Sequence, residues 1–143
     1  MYFDDLKIGM TVDTAPTVIE KEKMMAFART YDNIPLHINE EYAKTTPFGK
    51  LIAPGVMSFM SASAQTGFIH SIFVDLPANS SSPKKSTSRY FAHTDLSGKA
   101  TITNLVKRNA KNGLVEVSID AYNQNGELVL RDVTEAIVKC RPI

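Results

Sequence analysis

Several things are scarce in this chain, and each scarcity removes a class of protein. There is one cysteine, Cys140, among 143 residues. That excludes an intrachain disulfide framework and any metal site built from clustered thiolates, and it fits a reducing compartment. Excess charge of either sign is also missing. Sixteen basic residues face 15 acidic ones, for a net charge of +1. So balanced a chain has no electrostatic reason to bind nucleic acid or an anionic membrane surface. The opening MYFDDLKIGM places Asp4 and Asp5 early and holds no apolar core, so no signal peptide is expected there. A long hydrophobic run is missing too. Residues 51–74 lack Asp, Glu, Lys and Arg, but they contain Pro54, Gly55, Gln65, Gly67, His70 and several serines. They read as a helix buried inside a globular domain rather than a bilayer span. These features together are those expected of a cytoplasmic protein.

What remains is ordinary globular composition, 43% apolar and 22% charged, at a length suited to one domain over residues 1–143. The patterning changes near the middle. Up to about Val74 it reads mainly helical; beyond Lys84 it alternates with period two. Thr11–Val18 reads as a first short strand. Met24, Phe27, Ala28 and Tyr31 share one face of a helix beginning near Glu20. Asn39 is placed to cap a short helix over Glu40–Lys44. Pro47, Gly49 and Pro54 interrupt the chain before a helix predicted over 55–69, apolar nearly all round and so expected to be buried on most sides. Residues 76–88 (LPANSSSPKKSTS) read as a surface loop. Strands are predicted near 86–94, 99–110, 114–123 and 127–140, with Asn112-Gly113 and Asn125-Gly126 as hairpin turns. Val115, Val117, Ile119 and Ala121 point to one side of the third. An antiparallel meander curled around the apolar helix buries both, giving an α+β fold.

Chemistry concentrates in Tyr31-Asp32-Asn33-Ile34-Pro35-Leu36-His37-Ile38-Asn39. Asp32 and His37 are five apart, with Pro35 between them expected to forbid regular helix. An acid and an imidazole on one irregular loop can converge on a shared water for acid–base work. The spacing alone better suits a turn capped by Asp32 and a surface or packing role for His37. A second feature, Ala53-Pro54-Gly55-Val56, opens the predicted helix. Its unpaired N–H groups and positive dipole end would suit a developing oxyanion, or the pair Pro54-Gly55 simply punctuates a helix start. His37, His70 and His93 have no i,i+4 partner and no accompanying carboxylate motif, so no metal site is expected.

The opening FDDLKIGM, the stretch FARTYDNIPLHINEEYAKTTPFGKLIAPG and the helix after it resemble the MaoC-like hydratase/dehydratase family, the (R)-specific enoyl-CoA hydratases of the hot-dog fold. The resemblance spans residues 3–75; the strand half, 86–140, is similar only in pattern. The family signature Asp-x-Asn-Pro-x-His stands here as Asp32-Asn33-Ile34-Pro35-Leu36-His37, with Ile34 at the asparagine position. The resemblance implies an antiparallel sheet wrapped around a long central helix. It implies Asp32 and His37 as the catalytic dyad, the Gly55 amide as oxyanion donor, and Pro54, Val56 and Ser63 as substrate-binding or supporting positions. The implied reaction adds water to a trans-enoyl thioester, or removes it from an (R)-3-hydroxyacyl thioester, carried on CoA or acyl carrier protein. No cofactor is implied beyond that substrate. The implied assembly is a homodimer, or a higher homo-oligomer, with the pocket at or near the subunit interface and the acyl chain between sheet and helix.

Three departures accompany the match. Ile34 replaces an amide that would hold the loop by hydrogen bonds, Pro54 stands where the family often has His, and the strand half has Phe91-Ala92-His93-Thr94-Asp95 where the family has Pro. They point to an unusual substrate preference, or to catalysis lost or redirected. A hot-dog thioesterase is the nearest alternative, but residues 51–74 carry no carboxylate for the buried helix. The carrier-protein dehydratases of fatty acid synthesis would need a glutamate near Met60. A non-catalytic acyl-binding hot-dog protein of a specialised biosynthetic pathway is the remaining reading.

Overall fold

The computed structural model describes residues 1–64, 81–88 and 95–142, without the side chains of 62–64 and 81–88. Its elements in chain order are a 3-10 turn (Phe3–Asp5), β1 (Thr11–Val18), α1 (Lys21–Tyr31), α2 (Pro35–Ile38), α3 (Glu40–Lys44), α4 (Gly55–Ala64), β2 (Ser81–Ser88), β3 (Asp95–Lys107), β4 (Asn112–Tyr122) and β5 (Leu128–Lys139). The strands form one antiparallel five-stranded sheet in the order β1-β3-β4-β5-β2. The central β3-β4-β5 meander follows from period-two patterning. Val115, Val117, Ile119 and Ala121 of β4, with Leu130 and Val138 of β5, are all buried on one face. That face carries α4, which touches every strand. The result is the α+β hot-dog arrangement that the resemblance implied.

Four local expectations need correction. Ser81–Ser88, expected to be loop for most of its length, is an edge strand paired to β5, with a register shift between Pro83 and Lys85. Proline and serine are tolerated at a sheet edge, where one side of the ladder needs no donor. The first meander turn lies at Arg108–Lys111, not at Asn112-Gly113. The Asn109 side chain accepts from the Lys111 and Asn112 amides at 2.8 and 3.0 Å, while Asn112 and Gly113 already belong to β4. Gly113 is there for space: a Cβ on it would meet the Phe3 ring at 2.3 Å. The other turn is where expected, with Gly126 at φ +76°. Pro35 does not forbid helix but begins one, because the first helical residue needs no N–H partner.

The helix faces also differ in part. On α1, Met24 and Ala28 are buried, Phe27 is half-buried and Tyr31 is exposed. On α4, Ser58 is buried with its hydroxyl donating to the Pro54 carbonyl at 3.0 Å. Val56 and Met60 on the opposite side remain exposed. The part of the predicted helix beyond Ala64 lies outside the described residues, as do His70, His93 and the 89–94 portion of the first predicted strand. No described helix is long and apolar enough to cross a membrane.

Two predictions arise here. Gly98 of β3 faces Ala121, and a Cβ on it would lie 2.4 Å from the Asp120 carbonyl oxygen, a backbone atom that cannot swing aside. Gly98→Ala should therefore lower unfolding free energy in urea by about 1–3 kcal/mol, more than Gly113→Ala, whose obstacle is a side chain. The second concerns acid. Asp4 is held below its ordinary value of 3.8 by the Arg141 backbone N–H and then by Lys107; Asp5 is lowered by the Tyr2 backbone N–H and then by the Arg141 guanidinium. Carboxylates lowered in the folded state add stability above their unfolded value and lose it as pH falls through the folded one. Asp4→Asn with Asp5→Asn should flatten the fall of Tm between about pH 4 and pH 2 in thermal melts; an unchanged slope would contradict the clasp that Arg141 makes on Asp4 and Asp5.

Candidate active site

Asp32 and His37 come together. Asp32 is the C-cap of α1, its N–H donating to the Ala28 carbonyl at 2.8 Å. Two tight turns follow: the Ile34 N–H donates to the Asp32 carbonyl at 2.9 Å and the His37 N–H to the Ile34 carbonyl at 3.0 Å. They bring His37, on the single turn of α2, back under Asp32. His37 Nε2 lies 3.3 Å from Asp32 Oδ2. The imidazole is buried, whereas the carboxylate is 43% exposed. A basic group sunk in the protein beside an acid that reaches solvent suits proton exchange with a substrate above them.

The other ring nitrogen fixes the tautomer. His37 Nδ1 is 2.7 Å from the Ile52 carbonyl oxygen. A carbonyl can only accept, so Nδ1 carries hydrogen and Nε2 is the nitrogen presented to Asp32. Ile52 sits between buried Leu51 and Ala53, two residues before Pro54 and the start of α4. One hydrogen bond therefore docks the dyad segment against the approach to the helix. A Lys21–Glu40 ion pair joins α1 to α3 on either side of the segment, and Lys21 holds the Glu40 carboxyl below its ordinary value. Asn39 caps α3 as expected, accepting from the Tyr42 amide at 3.0 Å. Ile34, at the signature's asparagine position, is 45% exposed, and the described loop is held by main-chain bonds instead.

Asp32 also lines a cavity of about 510 Å3 with Phe27 and Tyr31 from α1 and with Pro54, Val56 and Met60 at the start of α4. So Asp32, Pro54 and Val56 share one space, and Gly55 lies in the chain between the last two. Ser63 belongs to α4, two turns on from Gly55, with its side chain outside the description. Sequence reasoning missed three contributors to this geometry. The Ile52 carbonyl carries no side-chain signal. Phe27 and Met60 read as core because helical spacing does not say which side of a helix stays open. Among the described residues no group of three or more His, Cys, Asp and Glu is placed to hold a metal ion.

The dyad's two members should differ in structural weight. His37→Phe removes the donor to a carbonyl in a packed segment and should cost about 1–3 kcal/mol of stability. Asp32→Asn, at a half-exposed carboxylate, should cost less than about 0.5 kcal/mol. Chemical denaturation of both variants checks the ranking, and equal costs would contradict the burial asymmetry.

Comparison with known proteins identifies the family and the fold. A MaoC like domain matches residues 5–84, more than half of the chain and the whole dyad segment. The (R)-specific enoyl-CoA hydratase of Rhodospirillum rubrum is 40% identical over 63 residues, 43% of this chain and 44% of that protein. The match thus spans less than half the length of that relative. Among solved structures, a monoamine oxidase regulatory protein from Archaeoglobus fulgius superposes with a TM-score of 0.84 at 27% identity, covering 99% of this chain and 96% of that one. A MaoC-like dehydratase from Rhodospirillum rubrum gives 0.81 at 24% identity over 100% and 99%, a likeness of fold. With a signature that runs through Asp32, Pro35 and His37 and a sheet that folds over α4, the chain belongs to the MaoC-like domain family.

Proposed function

We propose that this chain is an (R)-specific hydratase/dehydratase of enoyl and 3-hydroxyacyl thioesters, delivered on CoA or acyl carrier protein. One observation carries the reading: His37 Nε2 stands 3.3 Å from Asp32 Oδ2 while its Nδ1 hydrogen is committed to the Ile52 carbonyl. Family membership and the names of the matched relatives support the same chemistry.

The proposed reaction uses this arrangement. With Nδ1 committed to the Ile52 carbonyl, Nε2 is the nitrogen that faces Asp32. In the proposed cycle Nε2 starts with a proton, His37 serving as the acid and Asp32 as the base. In hydration, a water above the pair gives a proton to Asp32 as its oxygen bonds to Cβ. The π electrons of the double bond move toward the thioester carbonyl, forming an enolate. The Gly55 N–H and the N-terminal dipole of α4 meet the oxyanion. Nε2–H then delivers its proton to Cα. The proton on Asp32 returns to Nε2 across the short gap, and the cycle resets. Dehydration is the reverse. Water, thioester and the chain's own groups supply every proton, so no cofactor enters the reading. Ser63, further along α4, is proposed as a supporting residue.

The reading extends to assembly and place. Among the described residues β1 and β2 each have a neighbouring strand on one side, and pairing two copies is a common resolution of such edges. A homodimer working in the cytoplasm on a soluble thioester is the form proposed. The thioesterase alternative gains nothing from the described helix, since α4 holds no Asp or Glu. A non-catalytic acyl-binding role would leave Asp32 and His37 without a reaction.

Loss of enoyl absorbance from crotonyl-CoA tests this. Wild type should turn over, and Asp32→Asn and His37→Gln should each lower kcat by about a hundredfold or more. The double variant should be little worse than either, because the pair acts as a unit. Equal activity in all of them would remove the dyad from the mechanism.

A further inference from the structure

Ser58 is a buried polar side chain that the reaction described above does not use. It stands one turn into α4, closed off from solvent, and donates twice to a single acceptor. Its N–H and its hydroxyl oxygen each lie 3.0 Å from the Pro54 carbonyl oxygen. That carbonyl belongs to the peptide unit joining Pro54 to Gly55, the unit whose N–H is proposed to meet the oxyanion. We propose that Ser58 is a positioning residue of the oxyanion hole: its hydroxyl holds and polarises the Pro54–Gly55 peptide, so that the Gly55 N–H is aimed and strengthened as a donor. The inference rests on the hydratase reading and adds a residue to its machinery.

Peptide planarity is the first argument. The atoms of the unit are coplanar, and in the trans form its C=O and N–H point in opposite directions. Whatever fixes the oxygen therefore fixes the hydrogen. The Pro54 oxygen points along α4 toward Ser58, so the Gly55 N–H points out of the helix start. Burial agrees with that direction, since Pro54 is buried and Gly55 is exposed. The bond from the Ser58 N–H is the first rung of the helix, and terminal rungs fray. A second donor on the same oxygen, from a hydroxyl shielded from water, restrains the end peptide. Polarisation is the second argument. Each hydrogen bond to a carbonyl draws charge onto its oxygen and strengthens the N–H of the same amide as a donor, by about 10–30%. An oxyanion hole works through donors fixed in place before the charge develops.

Packing does not call for this hydroxyl. Alanine would fill nearly the same space, favours helix more than serine does, and brings no polar group into the core. A serine bonded back to the carbonyl four residues earlier is neutral to slightly unfavourable for a helix. The hydroxyl therefore offers little to stability, while its acceptor is the far side of the proposed donor.

Ser58→Ala tests the assignment with two readouts. In hydration of crotonyl-CoA, kcat should fall about three- to tenfold while KM changes less than about twofold. Ser58→Cys, which keeps a weak donor of similar shape, should lie between alanine and serine. The second readout needs no turnover. Butyryl-CoA has no double bond to hydrate, and with an isotopic label at its thioester carbonyl its C=O stretch in difference infrared spectra reports the donor directly. Binding to wild type should lower that frequency below its value in water, and Ser58→Ala should lose more than about 10% of the lowering. An unchanged kcat would overturn the proposal. A reduced kcat with the full lowering kept would also overturn it, because the hydroxyl would then serve the helix alone. Should Ser58→Ala not fold, the same two readouts on Ser58→Cys decide. If wild type hydrates crotonyl-CoA with no carbonyl lowering, the proposal falls and the dyad reading stands. If wild type hydrates nothing while the lowering appears and shrinks in Ser58→Ala, the hydratase reading fails and the held donor stands.

Discussion

The hydrogen bond from His37 Nδ1 to the Ile52 carbonyl is the constraint on which the candidate site turns. It spans fifteen positions of sequence and closes the α2–α3 segment against the approach to α4. Without it the imidazole would be free to rotate and either nitrogen could face Asp32. With it, one nitrogen is committed and the other is aimed. The acceptor is a main-chain oxygen in a segment whose neighbours, Leu51 and Ala53, are buried. The orientation of the proposed acid is thus inherited from core packing, and a side-chain substitution at Ile52 leaves the acceptor in place.

A second consequence is the division of labour between core and surface. His37 is buried while Asp32 keeps contact with solvent and with the cavity it lines. Most of the ion pairs among the described residues lie elsewhere and on the outside. Lys21–Glu40 bridges α1 and α3, Arg131 holds Asp120 with two bonds of 2.7 Å across β4 and β5, and the Arg141 clasp closes the terminus on the 3-10 turn. Such exposed pairs contribute little individually. The sheet and its buried face against α4 carry the fold, and the fold in turn carries the dyad.

How much of this the sequence disclosed depends on the kind of signal. Period-two alternation located β3, β4 and β5, because one face of each is buried and the other is not. Capping chemistry placed α3 to the residue. The motif Asp32…His37 named the pair, but its convergence needed the two main-chain turns through Ile34. Ser81–Ser88 was illegible: an edge strand rich in serine, with a proline inside it, has the composition of a loop, and only pairing to β5 makes it a strand. Gly113 was misread as a turn glycine when its role is to admit the Phe3 ring. The open side of α4 was hidden because apolar residues at helical spacing look alike whether they meet a sheet or a cleft. The Ile52 carbonyl was beyond any reading of side chains.

The central claim is that the two side chains move protons to and from a thioester's α and β carbons. The most direct measurement is deuterium transfer. With crotonyl-CoA in D2O, the wild-type product should carry one deuterium at the α carbon with a single stereochemistry and the (R)-hydroxyl at the β carbon, read by NMR and mass spectrometry. His37→Gln should lose that incorporation. Label absent from the wild-type product, or present equally in His37→Gln, would contradict the account.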